Sequence, residues 1–184
     1  MSTKTQLNTI RTIFSIDIIQ SFKKVDYEAL INHIETTGEI ISTDKYDTRY
    51  EDTKLGEHPI IDELIDHARK CVREALDTNS EIVGEPWAHI HEKNMSTSVH
   101  NHKGTNISVV YYVQTPKGSG DIFFAPEPEF VSPTAFVPQQ GGMLLFPGWL
   151  KHSVTRNTSD DKRISISFNL NYSPEEPTIE PEVV

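Results

Sequence analysis

A single cysteine, Cys71, stands in a chain of 184 residues. An internal disulfide is therefore excluded, and a reducing compartment such as the cytoplasm is the expectation. No apolar run approaches the ~18 residues that a membrane span needs. The first nine residues, Met1 to Thr9, are polar and lack the apolar centre of a signal peptide. Positive charge is scarce: 17 Lys and Arg against 27 Asp and Glu leave a net charge of −10. That balance argues against the broad basic stripe of a nucleic-acid binder, so no nucleic-acid partner and no membrane partner is expected. An acidic body can still hold a local cationic pocket for an anionic ligand. No internal repeat is present, and nothing in the sequence indicates a homodimer.

What is there fits one globular domain. Hydrophobic residues make up 36% of the chain and charged residues 24%, a soluble composition, and the length suits a single core rather than two. Between Ile10 and Phe22, β-branched and aromatic residues predict one or two strands. Tyr27, Leu30, Ile31 and Ile34 follow helical spacing, with Gly38 as a stop. The polar stretch from Ser42 to Glu57 reads as a loop. A second helix starts at Pro59, and Ile61, Leu64, Ile65, Ala68, Val72, Ala75 and Leu76 form its apolar stripe. Cys71 lies beside that stripe as a small packed residue.

From Glu81 the helical period disappears. Short β-rich runs cover Ile82–His91, Thr105–Gln114, Asp121–Phe124, Gly142–Phe146 and Arg163–Asn171. Turn signals separate them, including Lys117-Gly118-Ser119-Gly120, the proline-punctuated stretch from Ala125 to Gln140, and Pro147-Gly148. Many short strands at this spacing predict a sandwich or barrel. The expected domain is residues 1–172, with a supporting part over 1–80 and a β core over 81–172. The acidic, proline-rich segment 173–184 is expected to be disordered.

The chemistry is concentrated in three places. In Arg163–Leu170 alternation is strict: Ile164, Ile166, Phe168 and Leu170 share one face, Arg163, Ser165, Ser167 and Asn169 the other. The polar face either meets solvent or lines a cavity, where Arg163 would offer a carboxylate a planar cationic fork and Ser165 a hydroxyl. His152 lies eleven residues upstream. His100-Asn-His102 precedes the run beginning at Thr105, and residues two apart on an extended chain point the same way, so both rings can reach one ion. Imidazole suits iron, zinc, copper and nickel alike. A second such pair, His89-Ile-His91, shows that this spacing alone is weak.

In order, Trp87, His100, His102, Ser108-Val-Val-Tyr-Tyr-Val113, Gly120-Asp-Ile-Phe-Phe124, Pro138-Gln-Gln-Gly-Gly-Met-Leu-Leu-Phe-Pro147, His152 and Arg163-Ile-Ser-Ile-Ser-Phe-Asn169 form a set. This set resembles the 2-oxoglutarate/Fe(II) oxygenases, and more closely a branch of them related to the prolyl hydroxylases. The resemblance covers Trp87 to Tyr172, about half the chain. It implies a mainly β fold, a double-stranded β-helix (jelly roll) with supporting N-terminal helices. It also implies Fe(II), 2-oxoglutarate and O₂, with decarboxylation to succinate and hydroxylation of a small molecule or a peptide, such as a prolyl residue.

By the same resemblance His100 and His152 are metal ligands, and Arg163 grips the distal carboxylate of 2-oxoglutarate. Tyr112 occupies a position where related enzymes place a hydroxyl on that carboxylate, and parity puts it on one face with Asn106 and Ser108. The superfamily usually has a carboxylate where His102 stands. Either His102 is the third ligand, its charge deficit met by the 2-oxoglutarate dianion, or Asp121 or a water takes that place. Ser108, Ser167, Asn169 and Asn106 are further candidates on the polar faces. One of His89 and His91 is expected to face the cavity in a structural or substrate-facing role. Segments Ala125–Gln140 and Ser42–Glu57 are candidate lids. Two other readings stay open: a three-histidine cupin-like dioxygenase without 2-oxoglutarate, and a non-catalytic β-sandwich binding module.

Overall fold

Alternating strands with two faces to bury need cover on both sides, and the chain supplies it in layers. The computed structural model describes residues 16–37, 39–43, 51–125 and 133–172. Among the described residues, eleven strands and two helices follow one another: β1 (Ile19–Phe22), α1 (Tyr27–Thr37), β2 (Glu39–Thr43), β3 (Glu51–Lys54), α2 (Pro59–Leu76), β4 (Glu81–His91), β5 (Thr97–His100), β6 (Ile107–Gln114), β7 (Ile122–Phe124), β8 (Thr134–Phe136), β9 (Gly142–Pro147), β10 (His152–Val154) and β11 (Arg163–Asn171). Seven strands form one sheet in the order β1-β9-β6-β11-β4-β3-β2, and four form a second, β5-β10-β7-β8. Every pairing is antiparallel. The two facing sheets are the walls of a double-stranded β-helix, as the sequence resemblance implies.

Parity divides the core in two. Ile107, Val109, Tyr111 and Val113 of β6, Met143 and Leu145 of β9, and Ile164, Ile166, Phe168 and Leu170 of β11 belong to the cluster that includes the helices' Leu30, Ile34, Leu64, Ala68 and Val72. The alternate positions Val110, Tyr112, Leu144 and Phe146 turn between the sheets, against Ile122, Phe124 and Leu150. Helix α2 begins at a His58 cap, whose Nδ1 accepts from Ile60 N–H at 3.2 Å. It ends at Asp77, in left-handed conformation with φ 51°. Neither helix is long and apolar enough to cross a membrane.

Several expectations are corrected. The polar stretch after Ser42 is not simply a loop, because Glu51–Lys54 pairs with β4 from His89's partner Asp52 to Trp87's partner Lys54. Backbone hydrogen bonding to β4 on one side and β2 on the other needs no apolar side chains, which is why this strand left so little trace. The lid expectation is likewise trimmed at both segments, since β8 is paired with β7 inside the 125–140 stretch. Strands β5, β8 and β10, three or four residues each, are too short to show a period. Ala75 and Leu76 leave the apolar stripe and are exposed, while Cys71 is buried with it. The expectations for residues 10–15, for Gly38 and for the 173–184 segment lie outside the described residues.

Candidate metal centre and anion pocket

The second sheet carries three histidines to one point. His100 ends β5, His152 begins β10, and the two are direct cross-strand partners. His102 follows on a turn clamped by Gly148: its N–H donates to the Gly148 carbonyl at 2.8 Å, and Gly148 N–H donates to the Asn106 carbonyl at 3.0 Å. A Cβ on Gly148 would stand 2.5 Å from the Thr105 carbonyl oxygen and 3.0 Å from that of His102, so only glycine allows this approach. One ring nitrogen from each of His100, His102 and His152 lies within 4.8 Å of the other two. Nitrogens about 2.0–2.1 Å from a common ion can be at most ~4.2 Å apart, so small side-chain rotations suffice.

The backbone fixes the tautomers. His100 Nδ1 is 2.9 Å from the Ser98 carbonyl and His152 Nδ1 is 3.0 Å from the Leu150 carbonyl. A carbonyl only accepts, so each Nδ1 carries the proton and each Nε2 presents a lone pair, the arrangement a metal-binding imidazole requires. Burial, with His100 adding to it, pushes His152 down to about 3, keeping it neutral. The donor set therefore fits a divalent transition metal. Asp121 stands outside this group among the described residues.

The first sheet faces this centre with an anion pocket. Arg163 is 1% exposed. Its Nη1 donates to Ser165 Oγ at 3.1 Å and to His91 Nδ1 at 3.5 Å. Its guanidinium carbon lies 5.4 Å from the centre of the Tyr112 ring. Among the described residues no carboxylate forms an ion pair with it. Burial lowers its pKa, with Tyr112 and Asp121 opposing the shift. Among the described residues, Arg163 Nε and the Tyr112 hydroxyl are both buried without a partner in good hydrogen-bonding geometry, although the two side chains lie close enough to interact with each other. Burial pushes that hydroxyl up to about 12, Arg163 partly offsetting it, so it stays a protonated donor. Orphaned buried donors are rare and costly in a native interior, and a buried guanidinium without a counter-charge more so. Two such groups side by side are the mark of an absent anion, and the residues fit the carboxylate of a 2-oxo diacid.

A narrow cavity of about 30 Å³ lies between the sheets. All three histidines, Arg163 and Ser165 line it, together with Ser108, Ser167 and Asn169. The polar face of β11 thus lines the cavity, the second of the two alternatives for that strand. Ser108 Oγ donates to Asn169 Oδ1 at 2.9 Å. Asn106 is exposed and instead accepts from Tyr172 N–H at 3.0 Å. Both His89 and His91 line the cavity, not one of the two. Their register against Ser165 and Arg163 places them on the same face, and Trp87 Nε1–H donates to His89 Nε2 at 2.8 Å. Sequence reasoning missed Thr97, Gly148 and Asn157. Asn157, fully buried, donates from Nδ2 to the carbonyls of His91 and Asp161, both at 2.9 Å; an Asn in a polar turn carries no distinguishing signal.

The model of a family described as "Putative 2OG-Fe(II) oxygenase" matches residues 125–169, a segment that carries His152 and Arg163. No curated protein sequence matches the chain. Among solved structures, the epimerase SnoN in complex with Fe3+, alpha ketoglutarate and nogalamycin RO superposes with a TM-score of 0.70 at 13% identity, over 85% of this chain and 81% of that one. A prolyl-4-hydroxylase from Pseudomonas putida gives 0.63 at 12% identity, over 85% and 93%. HygX from Streptomyces hygroscopicus, with nickel, 2-oxoglutarate and hygromycin B bound, gives 0.64 at 11% identity, over 84% and 82%. The family match covers about a quarter of the chain, and the solved structures, all at low identity, share with it the double-stranded β-helix fold.

Proposed function

We propose that the chain is an Fe(II)- and 2-oxoglutarate-dependent oxygenase in which His100, His102 and His152 hold the iron and Arg163, Tyr112 and Ser165 receive the distal carboxylate of 2-oxoglutarate. The observation that carries this reading is buried Arg163, whose Nε has no hydrogen-bond partner among the described residues, on the wall of a cavity lined also by three converging imidazoles. Iron bound there supplies activation of O₂, coupled to decarboxylation of 2-oxoglutarate to succinate and CO₂ and to oxidation of a C–H bond. The protein's residues do the rest. Arg163 and Tyr112 offer charge and a hydroxyl to one end of the diacid, setting its register. The backbone carbonyls of Ser98 and Leu150 hold the Nδ1 protons of His100 and His152, so Nε2 is the nitrogen each ring has left for a metal. Val110, Ile122, Phe146 and Val154 exclude bulk water from the walls.

The substrate is a small molecule or a peptide residue, a prolyl or other amino-acid residue among them. The cytoplasm is the compartment that one unpaired cysteine fits, and one domain over 1–172 is the unit. A cupin-like dioxygenase without 2-oxoglutarate is favoured by one feature, the third histidine in place of an acid. Titration of purified protein with Fe(II) and then 2-oxoglutarate under nitrogen separates the readings. A weak visible charge-transfer band appearing only with both, and succinate on admitting O₂, is expected. Iron binding without either response sinks the proposal in favour of the cupin-like reading; no iron binding leaves the binding module.

A further inference from the structure

We infer that His91 is a positioning residue for Arg163 and that, through Thr97, it ties the anion pocket on one sheet to the metal-bearing strand of the other. This rests on the function proposed above. An arginine side chain only donates, so His91 Nδ1, 3.5 Å from Nη1, must be an acceptor. Its proton is then on Nε2, which donates to Thr97 Oγ1 at 2.8 Å. Thr97 is 6% exposed and begins β5, the strand that ends at His100. The His91 backbone is held as well, with its carbonyl accepting from Asn157 Nδ2 and its Cα in register with Arg163. A contiguous chain thus runs Arg163–His91–Thr97 across the gap between the two sheets.

The arrangement matters because the guanidinium has few anchors. Nη1 is steadied by Ser165 and His91, whereas Nε has no hydrogen-bond partner among the described residues. A planar fork recognises a carboxylate only in the right orientation, and a long side chain left with one anchor samples others. Burial, with Arg163 adding to it, holds the His91 imidazole neutral, as an acceptor beside a cation must be. His91 is no member of the three-histidine group, so its effect is expected on the anion and not on the metal.

The test compares two ligands by calorimetry on Fe(II)-loaded protein under nitrogen. One is 2-oxoglutarate; the other is 2-oxobutyrate, which keeps the 2-oxo acid end but lacks the distal carboxylate. Their affinity ratio reads the Arg163 end of the pocket alone. Loss of one orienting hydrogen bond in a buried site is expected to lower that ratio about fivefold in His91→Phe. Affinity for 2-oxobutyrate, and for Fe(II) itself, should change less than about twofold. Thr97→Val, nearly isosteric, should lower the ratio about threefold, and Thr97→Ser should restore it. If His91→Phe does not fold, the threonine pair decides. An unchanged ratio overturns the inference, and so does equal weakening of both ligands, which marks general damage to the site. Failure of the unsubstituted protein to bind 2-oxoglutarate overturns the proposed function first, and this inference with it.

Discussion

Arg163 combines a full cation, 1% exposure and, among the described residues, no carboxylate in an ion pair with it, and that combination makes its replacement informative. Truncating one member of a buried charge pair typically costs ~2–5 kcal/mol. Arg163→Ala is therefore expected to weaken 2-oxoglutarate at least about tenfold while iron binding stays largely intact, as calorimetry and equilibrium dialysis would measure. Arg163→Lys should recover only part, since an ammonium cannot reproduce the fork. At the metal end, His152→Ala should abolish stoichiometric Fe(II) binding without loss of fold by circular dichroism; full stoichiometry would remove His152 from the ligand set. His102→Asp should keep iron and turnover, because a carboxylate completes the common two-histidine, one-acid set. Normal iron binding in His102→Ala would move the third ligand elsewhere.

Among the elements, β4 and the turn after β9 do most to shape the site. One face of β4 presents Trp87, His89 and His91 in steps of two along Ser167, Ser165 and Arg163 of β11, so a single strand walls the cavity from near the metal to the anion pocket. The turn Pro147-Gly148-Trp149 holds the His102 loop by two backbone hydrogen bonds. Gly148→Ala would drive a methyl group to 2.5 Å from a backbone oxygen that has no freedom to rotate away. Overpacking of this kind usually costs ~1–3 kcal/mol. The expected result is a lower melting temperature together with iron affinity reduced beyond that of a surface control. A stable Gly148→Ala protein with unaltered iron affinity would show that the clamp does not position His102.

Over the whole molecule, buried neutral histidines make stability depend on pH. Burial pushes His91 down to about 2, far below its ordinary value near 6.5. Below about pH 6.5 the unfolded chain takes up a proton that the folded chain refuses, so stability is complete above that pH and falls as pH drops. The loss approaches ~1.4 kcal/mol per pH unit for each such group. His152, at about 3, adds to it in the same sense. Melting temperatures measured from pH 8 to pH 5 should decline below about pH 6.5. A flat profile would contradict the buried, neutral state of His91.

The sequence by itself determined the strands whose both faces are spoken for. Isoleucine, phenylalanine and leucine alternating with Arg163, Ser165 and Ser167 permit no period but two, and α2 carries enough apolar positions for its own period to be plain. It also determined the order of the ligand motifs, because His100-Asn-His102, His152 and Arg163 are local patterns. Alternation cannot say which face meets solvent. Only the packing of β5, β10 and β7 over the first sheet made the polar face of β11 a cavity wall. Nor could spacing show that β3, nearly all polar, would be a sheet strand, since its pairing is made by backbone groups that every residue has. The contacts that orient the site, His91 to Thr97 and Gly148 to the His102 turn, join residues that no periodic pattern links. They exist because two sheets close on each other, and that closure is decided by tertiary structure.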